Sequence, residues 1–311
     1  MSTRAVATHL GLFVISFVTL TLAGVQWLNK DPYELSNFSL GFTYAWLTLS
    51  FLLTHEMGHY VAARLHGVDT TLPYFLPFPP YSVIMPFGTF GAVIRIRSEL
   101  KDRRTLFDVG AAGPVAGFIV CILILFWGMT HLPTIDYLYN IHPNYRSLAE
   151  IPTDGYRFGK PLLFVVMQAL VASPNVFVPP MNEVYHYPFL CVGWFGAFVT
   201  ALNLLPIGQL DGGHIAYAML GSRSNRLSQL VLVVMMLLGT AGILPLIGIN
   251  FPYGWPGWLI WSVVLALLLR SRRFQHPVLE DVEELGTLRQ LVGWSCIIIF
   301  LLCFTVVPVT E

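Results

Sequence analysis

Two histidines and a glutamate lie within five residues of one another in Thr54-His55-Glu56-Met57-Gly58-His59. A spacing of four places His55 and His59 on one face of a helix, a turn apart, so both imidazoles can reach a single ion. Zinc suits such an H-E-x-x-H helix, and Glu56 is placed to take a proton from a water activated there. The plainer reading of the cluster is polar packing between helices. A catalytic zinc needs a third protein ligand and one open position. Asp211 is the candidate, in Asn203-Leu-Leu-Pro206-Ile-Gly208-Gln-Leu-Asp211-Gly-Gly-His214. Pro206 and Gly208 should break a helix here, and the glycines after Asp211 let backbones approach closely. His214, three residues on, competes as a ligand or as a hydrogen-bond partner of one. Asn203, before the break, offers an amide to a substrate carbonyl or oxyanion, or a polar contact between helices.

The elements that must hold these groups read as membrane spans. The chain has 311 residues, 55% apolar and 11% charged, with a mean hydropathy of +0.67. Soluble domains carry about 25% charged residues. The apolar residues form runs at 8–27, 42–66, 108–130, 187–205, 227–248 and 289–308, each near the ~20 residues that cross a bilayer. A shorter run, 255–270, is counted as a seventh span, and 161–172 is too short to cross. The expectation is an all-α polytopic membrane protein with six or seven transmembrane helices and a small membrane-associated β-hairpin. It would form one membrane domain over 1–311, with a catalytic core at 42–220. The first run is longer than a signal-peptide core and is read as a retained span. His59 and His55 would lie about 10 and 16 Å below the His66 end of the second span.

Basic residues give an orientation. With the N-terminus cytoplasmic and the C-terminus outside, only Lys30, Arg146, Arg157 and Lys160 of the 17 basic residues fall on the extracytoplasmic side. An inner or plasma membrane is the expected location. The cytoplasmic loop 67–107 is rich in proline and aromatics, with strand character in Ala92-Val-Ile-Arg-Ile-Arg97. The extracytoplasmic loop is 131–186. Asp108 reads as a helix-start residue, and Trp255, Trp258 and Trp261 as an interfacial belt. The Gly113-Pro-Val-Ala-Gly117 cluster reads as helix packing. The cysteines, Cys121, Cys191, Cys296 and Cys303, read as buried thiols. His66, His142 and His186 are singletons with no assigned role. A net charge of zero gives no support for nucleic-acid binding.

The pairing of H-E-x-G-H with N-L-L-P-x-x-x-L-D-G-G resembles the site-2 protease family of intramembrane zinc metalloproteases, between about 40 and 220. Phe87-Gly-Thr-Phe-Gly-Ala and Asp108-Val-Gly-Ala-Ala-Gly-Pro-Val-Ala-Gly117 resemble its PDZ-less plastid and cyanobacterial-type branch. A G-N-x-x-R motif typical of the plastid members is absent before the second span, as are a PDZ-like insertion and a nucleotide-sensing domain. The resemblance implies one zinc per chain held by His55, His59 and Asp211, Glu56 as general base, and Asn203 assisting substrate or oxyanion. It also implies a hairpin over Pro86 to Gly91 that presents an edge strand, with Gly88, Phe90 and Gly91 meeting the substrate. The partners would be single-span transmembrane proteins within the lipid bilayer.

Three rival functions use the same residues. A metal transporter would spread ionisable groups along a path, often with inverted repeats; here they gather at one point. A zinc protease acting on lipidated C-termini would take its third ligand from motifs absent here. An inactive scaffold has no need of Glu56.

Overall fold

Apolar segments that bury an all-round hydrophobic surface become helices, and this chain is mostly that. A computed structural model describes residues 3–79, 87–98, 100, 102–173, 175–249, 251–270, 279 and 283–310. The described helices are α1 (Thr3–Trp27), α2 (Phe42–Leu65), α3 (Arg103–Thr130), α4 (Asp136–Ile141), α5 (Leu162–Val171), α6 (Pro188–Asn203), α7 (Asp211–Leu220), α8 (Ser224–Ala241), α9 (Gly257–Arg270) and α10 (Thr287–Cys303). A hairpin pairs β1 (Tyr74–Pro77) antiparallel with β2 (Thr89–Val93), with an irregularity between Leu76 and Pro77. A second ribbon pairs β3 (Arg157–Phe158) with β4 (Val309–Thr310).

Every expected apolar run is helical over most of its length. Three stretches are long and apolar enough to cross a membrane: Thr3–Trp27, Arg103–Thr130 and Asp211–Ile247. The runs expected at 187–205, 255–270 and 289–308 form helices of 16, 14 and 17 residues, short of the ~20 a perpendicular crossing needs. Exposed apolar side chains line α3 (Ile119, Leu123), α8 (Leu230, Val233, Leu237) and α10 (Leu291, Ile298, Leu301), as lipid-facing surfaces do.

At the centre, α3 packs against α2, α6 and α7, and α1 carries the hairpin on its flank. The core holds Trp194, Phe51, Phe107 and Tyr44, all essentially buried. A smaller cluster joins α8 and α9 around Trp258 and Met235. Trp258 is 1% exposed and donates its indole N–H to the Val306 carbonyl at 2.7 Å. It is therefore a core residue and not part of an interfacial belt. The four cysteines are buried free thiols.

Two local expectations shift. The third span begins with Asp102, whose carboxylate accepts from the Arg104 and Thr105 amides, so the cap lies upstream of Asp108. Asp108 sits in the second turn, where its carboxylate binds the Arg289 guanidinium through two 2.8 Å contacts and His66 Nε2 through another. The strand expected to run to Arg97 ends its regular pairing at Val93, with one isolated bridge between Ile96 and Thr70. The Ile94 amide donates to Glu56 and the Arg95 amide to the Thr71 hydroxyl, so neither continues the ladder. Pro86, Lys101, Arg272, Arg273, His276 and 280–282 lie outside the described residues.

Candidate metal centre

The second helix carries His55, Glu56 and His59 on its buried side, each less than 10% exposed. Its approach to α3 is made close by glycine. A Cβ on Gly58 would meet the Ala112 carbonyl, one on Gly113 would overlap the His59 ring, and one on Gly117 would press on His55. The small-residue cluster of α3 is thus helix packing, as expected, and it also makes room for the two imidazoles. The His59 ring is held by α3 as well, because its Nδ1 donates to the Val109 carbonyl at 2.7 Å. That bond leaves a lone pair on Nε2, the tautomer a metal ligand needs.

The helix break comes where proline and glycine require it. Helix α6 ends at Asn203, Gly208 adopts φ +52°, and α7 starts at Asp211. Side chains at positions 212 and 213 would collide with the carbonyls of Leu204 and Gly208. These two glycines let the first turn of α7 fold back onto the break and set Asp211 beside α2.

The three expected ligands converge. His55 Nε2 and His59 Nε2 are 3.2 Å apart. Asp211 Oδ2 lies 3.3 Å from His55 Nε2, and Oδ1 lies 3.3 Å from His59 Nε2. Bonds of about 2.0–2.1 Å at tetrahedral angles separate donors by about 3.3 Å, so the triangle fits a zinc-sized ion. Two imidazoles and a carboxylate, buried and closely facing, are also the donor chemistry zinc takes.

Glu56 and Asn203 border this triangle. Glu56 Oε2 accepts from the Ile94 amide at 2.8 Å, which ties the carboxylate to the end of β2. The Asn203 side-chain amide lies 3.2 Å from His55 Nε2. His214 is not among the converging donors; its Cβ packs over Gly110 of α3. Of the hairpin residues, Phe90 is 54% exposed and packs on Phe78. Gly91 has φ +104° and open space at its Cβ position. Gly88 faces α1, its carbonyl accepting from the Thr19 hydroxyl at 2.8 Å.

Two features were not anticipated. The Ile94–Glu56 bond joins residues 38 apart, and no spacing rule signals it. The glycines at 110, 113 and 117 do show helical spacing, but which ligand each one lies beneath depends on the register of α2 over Gly113 and Gly117 and on the placement of α7 over Gly110.

A model of peptidase family M50 matches residues 43–245. The chain is 30% identical over 268 residues to the probable zinc metalloprotease EGY1, chloroplastic, of Arabidopsis thaliana, covering 86% of this chain and 43% of that protein. With the protein of the same name from Oryza sativa subsp. japonica it shares 31% over 268 residues, 86% of this chain and 40% of the relative. With the probable zinc metalloprotease EGY2, chloroplastic, of Oryza sativa subsp. indica it shares 30% over 224 residues, 70% and 37%. The chain spans less than half the length of these curated relatives.

Proposed function

Because the chain belongs to peptidase family M50, with both halves of the metal centre inside the matched segment, we propose that it is an intramembrane zinc metalloendopeptidase. Its substrates would be single-span, membrane-tethered proteins cut within or near their transmembrane helix. The observation that carries this reading is the triangle of His55, His59 and Asp211, with a carboxylate, Glu56, beside it.

In this reading His55, His59 and Asp211 hold one zinc. When bound, the ion acts as a Lewis acid toward a carbonyl and makes water acidic near neutral pH. Glu56 takes the proton of the attacking water and gives it to the departing amine. The Ile94 amide fixes one Glu56 oxygen at 2.8 Å and leaves the other for that water. Once His55 Nε2 is committed to an ion, the Asn203 amide is released to donate to the substrate carbonyl as negative charge develops.

A peptide bond in a helix is shielded by its own hydrogen bonds, so substrate must unwind first. The hairpin supplies a partner for the unwound segment. Its sheet has two described strands, and Phe90 and Gly91 lie on the strand nearer Glu56. Gly88 anchors the turn to α1. Substrate would add along β2, bringing its scissile bond toward Glu56.

We further propose seven spans, with the N-terminus and the 67–107 loop on the cytoplasmic side of an inner or plasma membrane. Residues 131–186 and the C-terminus would face the other way. The clustering of basic residues supports this orientation, and seven apolar helices in the expected places support the count, three of them shorter than a perpendicular crossing needs.

The test is zinc analysis of the wild type beside His55→Ala and Asp211→Ala, together with cleavage of a panel of single-span peptides in detergent or vesicles. Both variants should lose one equivalent of zinc and all hydrolysis. Stoichiometric zinc with no hydrolysis of any peptide would favour a transporter or a scaffold.

A further inference from the structure

We propose that His142, Glu183 and His186 form a second divalent-cation site, suited to zinc, at the end of the bundle where α1 stops and α6 begins. His142 follows α4, and Glu183 and His186 lie in the turn before α6. Their donor atoms face one another. His142 Nε2 and His186 Nε2 are 2.9 Å apart. Glu183 Oε2 lies 3.4 Å from His186 Nε2 and 3.7 Å from His142 Nε2. These separations bracket the ~3.3 Å edge of a tetrahedral zinc site.

The surroundings prepare each donor. His186 is 2% exposed, and its Nδ1 donates to the Trp27 carbonyl, so Nε2 presents a lone pair. The Val109 carbonyl treats His59 in the same way. A backbone carbonyl on the far ring nitrogen is the usual orienting contact of a metal-bound imidazole. Glu183 is 1% exposed. Its Oε1 accepts from the Tyr145 hydroxyl at 3.2 Å and the Asn182 amide at 3.1 Å. Its Oε2 is buried with no hydrogen-bond partner among the described residues, and it points at the two imidazoles.

A buried carboxylate oxygen facing an imidazole lone pair at 3.4 Å needs positive charge between them. A proton on His142 Nε2 would bridge to His186 but leave Glu183 Oε2, at 3.7 Å, beyond hydrogen-bond reach. An ion inside the triangle serves all three donors. The His142 side chain is 21% exposed, which gives the ion a way in and a face for a water ligand. A bound ion would pin the segment after α4 to the segment before α6, while His186 ties both to the end of α1. Its role is to fasten the 131–186 loop to the bundle, and it does not depend on the protease reading.

The experiment uses the full chain in detergent, stripped with a chelator and dialysed against buffered zinc. Zinc per chain is then measured by mass spectrometry. His142→Asn and Glu183→Gln should each lose one equivalent and keep the equivalent removed by His55→Ala with Asp211→Ala. In that doubly substituted background, added zinc should still raise Tm, and His142→Asn should abolish the rise. His142 is partly exposed, so its substitution remains informative if Glu183→Gln does not fold. If His142→Asn leaves the zinc count and the zinc-induced Tm rise unchanged, the site is overturned, whatever the count. A wild type with a single zinc that His142→Asn removes would support this site and count against the other.

Discussion

Replacing Gly113 by alanine tests the metal centre at its tightest point. A methyl there would overlap the His59 ring, and the ring cannot slide freely because its Nδ1 is bonded to Val109 on the same helix, 2.7 Å away. Overpacking of this kind costs about 1–3 kcal/mol, and a buried hydrogen bond lost as the ring tilts costs about 1 kcal/mol more. At 1.4 kcal/mol per factor of ten, ~2–4 kcal/mol lowers zinc affinity about 30- to 700-fold. Helix propensity works the other way, since Gly→Ala inside a helix ordinarily stabilises by about 0.5–1 kcal/mol. The assay is competition for zinc against a chromophoric chelator, with Gly11→Ala as the control. Gly11 lies on α1 with nothing within 4 Å of a built Cβ, so that variant should bind like the wild type. Gly117→Ala should fall between them, its closest contact with His55 being 3.0 Å. A folded Gly113→Ala protein that binds zinc within twofold of the wild type would refute the claim that α3 positions His59.

Glu56→Gln should keep its zinc and lose about 10²- to 10⁴-fold in hydrolysis, read from cleavage of a single-span peptide; a rate near wild type would remove Glu56 from the proton transfers. Asn203→Ala should lower kcat about 10²- to 10³-fold with zinc retained, whereas loss of zinc would move its role from substrate to metal. Asp102→Ala should cost about 0.5–2 kcal/mol at pH 7 as a lost helix cap. Burial pushes the Asp102 carboxyl up, but hydrogen bonds from the Thr105 hydroxyl and the Thr105 and Arg104 amides outweigh it and hold the group below its usual value. Its stabilisation is therefore complete above the unfolded pKa of about 4 and is lost as pH falls through the lower folded value. In thermal unfolding of zinc-free protein, the gap between wild type and Asp102→Ala should narrow below about pH 4; a gap that widens on acidification would contradict the cap.

Much of the centre was legible because its signals are local. Four-residue spacing puts His55 and His59 on one helix face whatever surrounds them. Pro206 and Gly208 interrupt a helix on stereochemical grounds alone, so Asp211 could be picked out as the acidic group at a break. The cap of α3 was misplaced for a related reason. The apolar run begins near Asp108, but the helix reaches back through Arg103 and Arg104 to Asp102, whose Asp-x-x-Thr pattern caps it. Hydropathy marks where a helix becomes apolar, while capping marks where it starts.

What composition could not reveal are pairings between distant segments, and the end of β2 shows why. By its strand character, with alternation only in the second half, Ala92 to Arg97 should continue as strand. The Ile94 amide instead donates to Glu56, a buried carboxylate for which an unmet hydrogen bond would cost more than one rung of an exposed two-stranded ladder. The tertiary contact interrupts the regular ladder, which resumes only as the Thr70–Ile96 bridge, and it places the end of β2 against the proposed base. His142 and His186 follow the same logic, standing 44 residues apart with no motif to join them. Glu183 stands three residues before His186, and only packing brings His142 to that pair. The chemistry within a helix turn is written in spacing, but chemistry assembled between elements appears only when each helix has found its register.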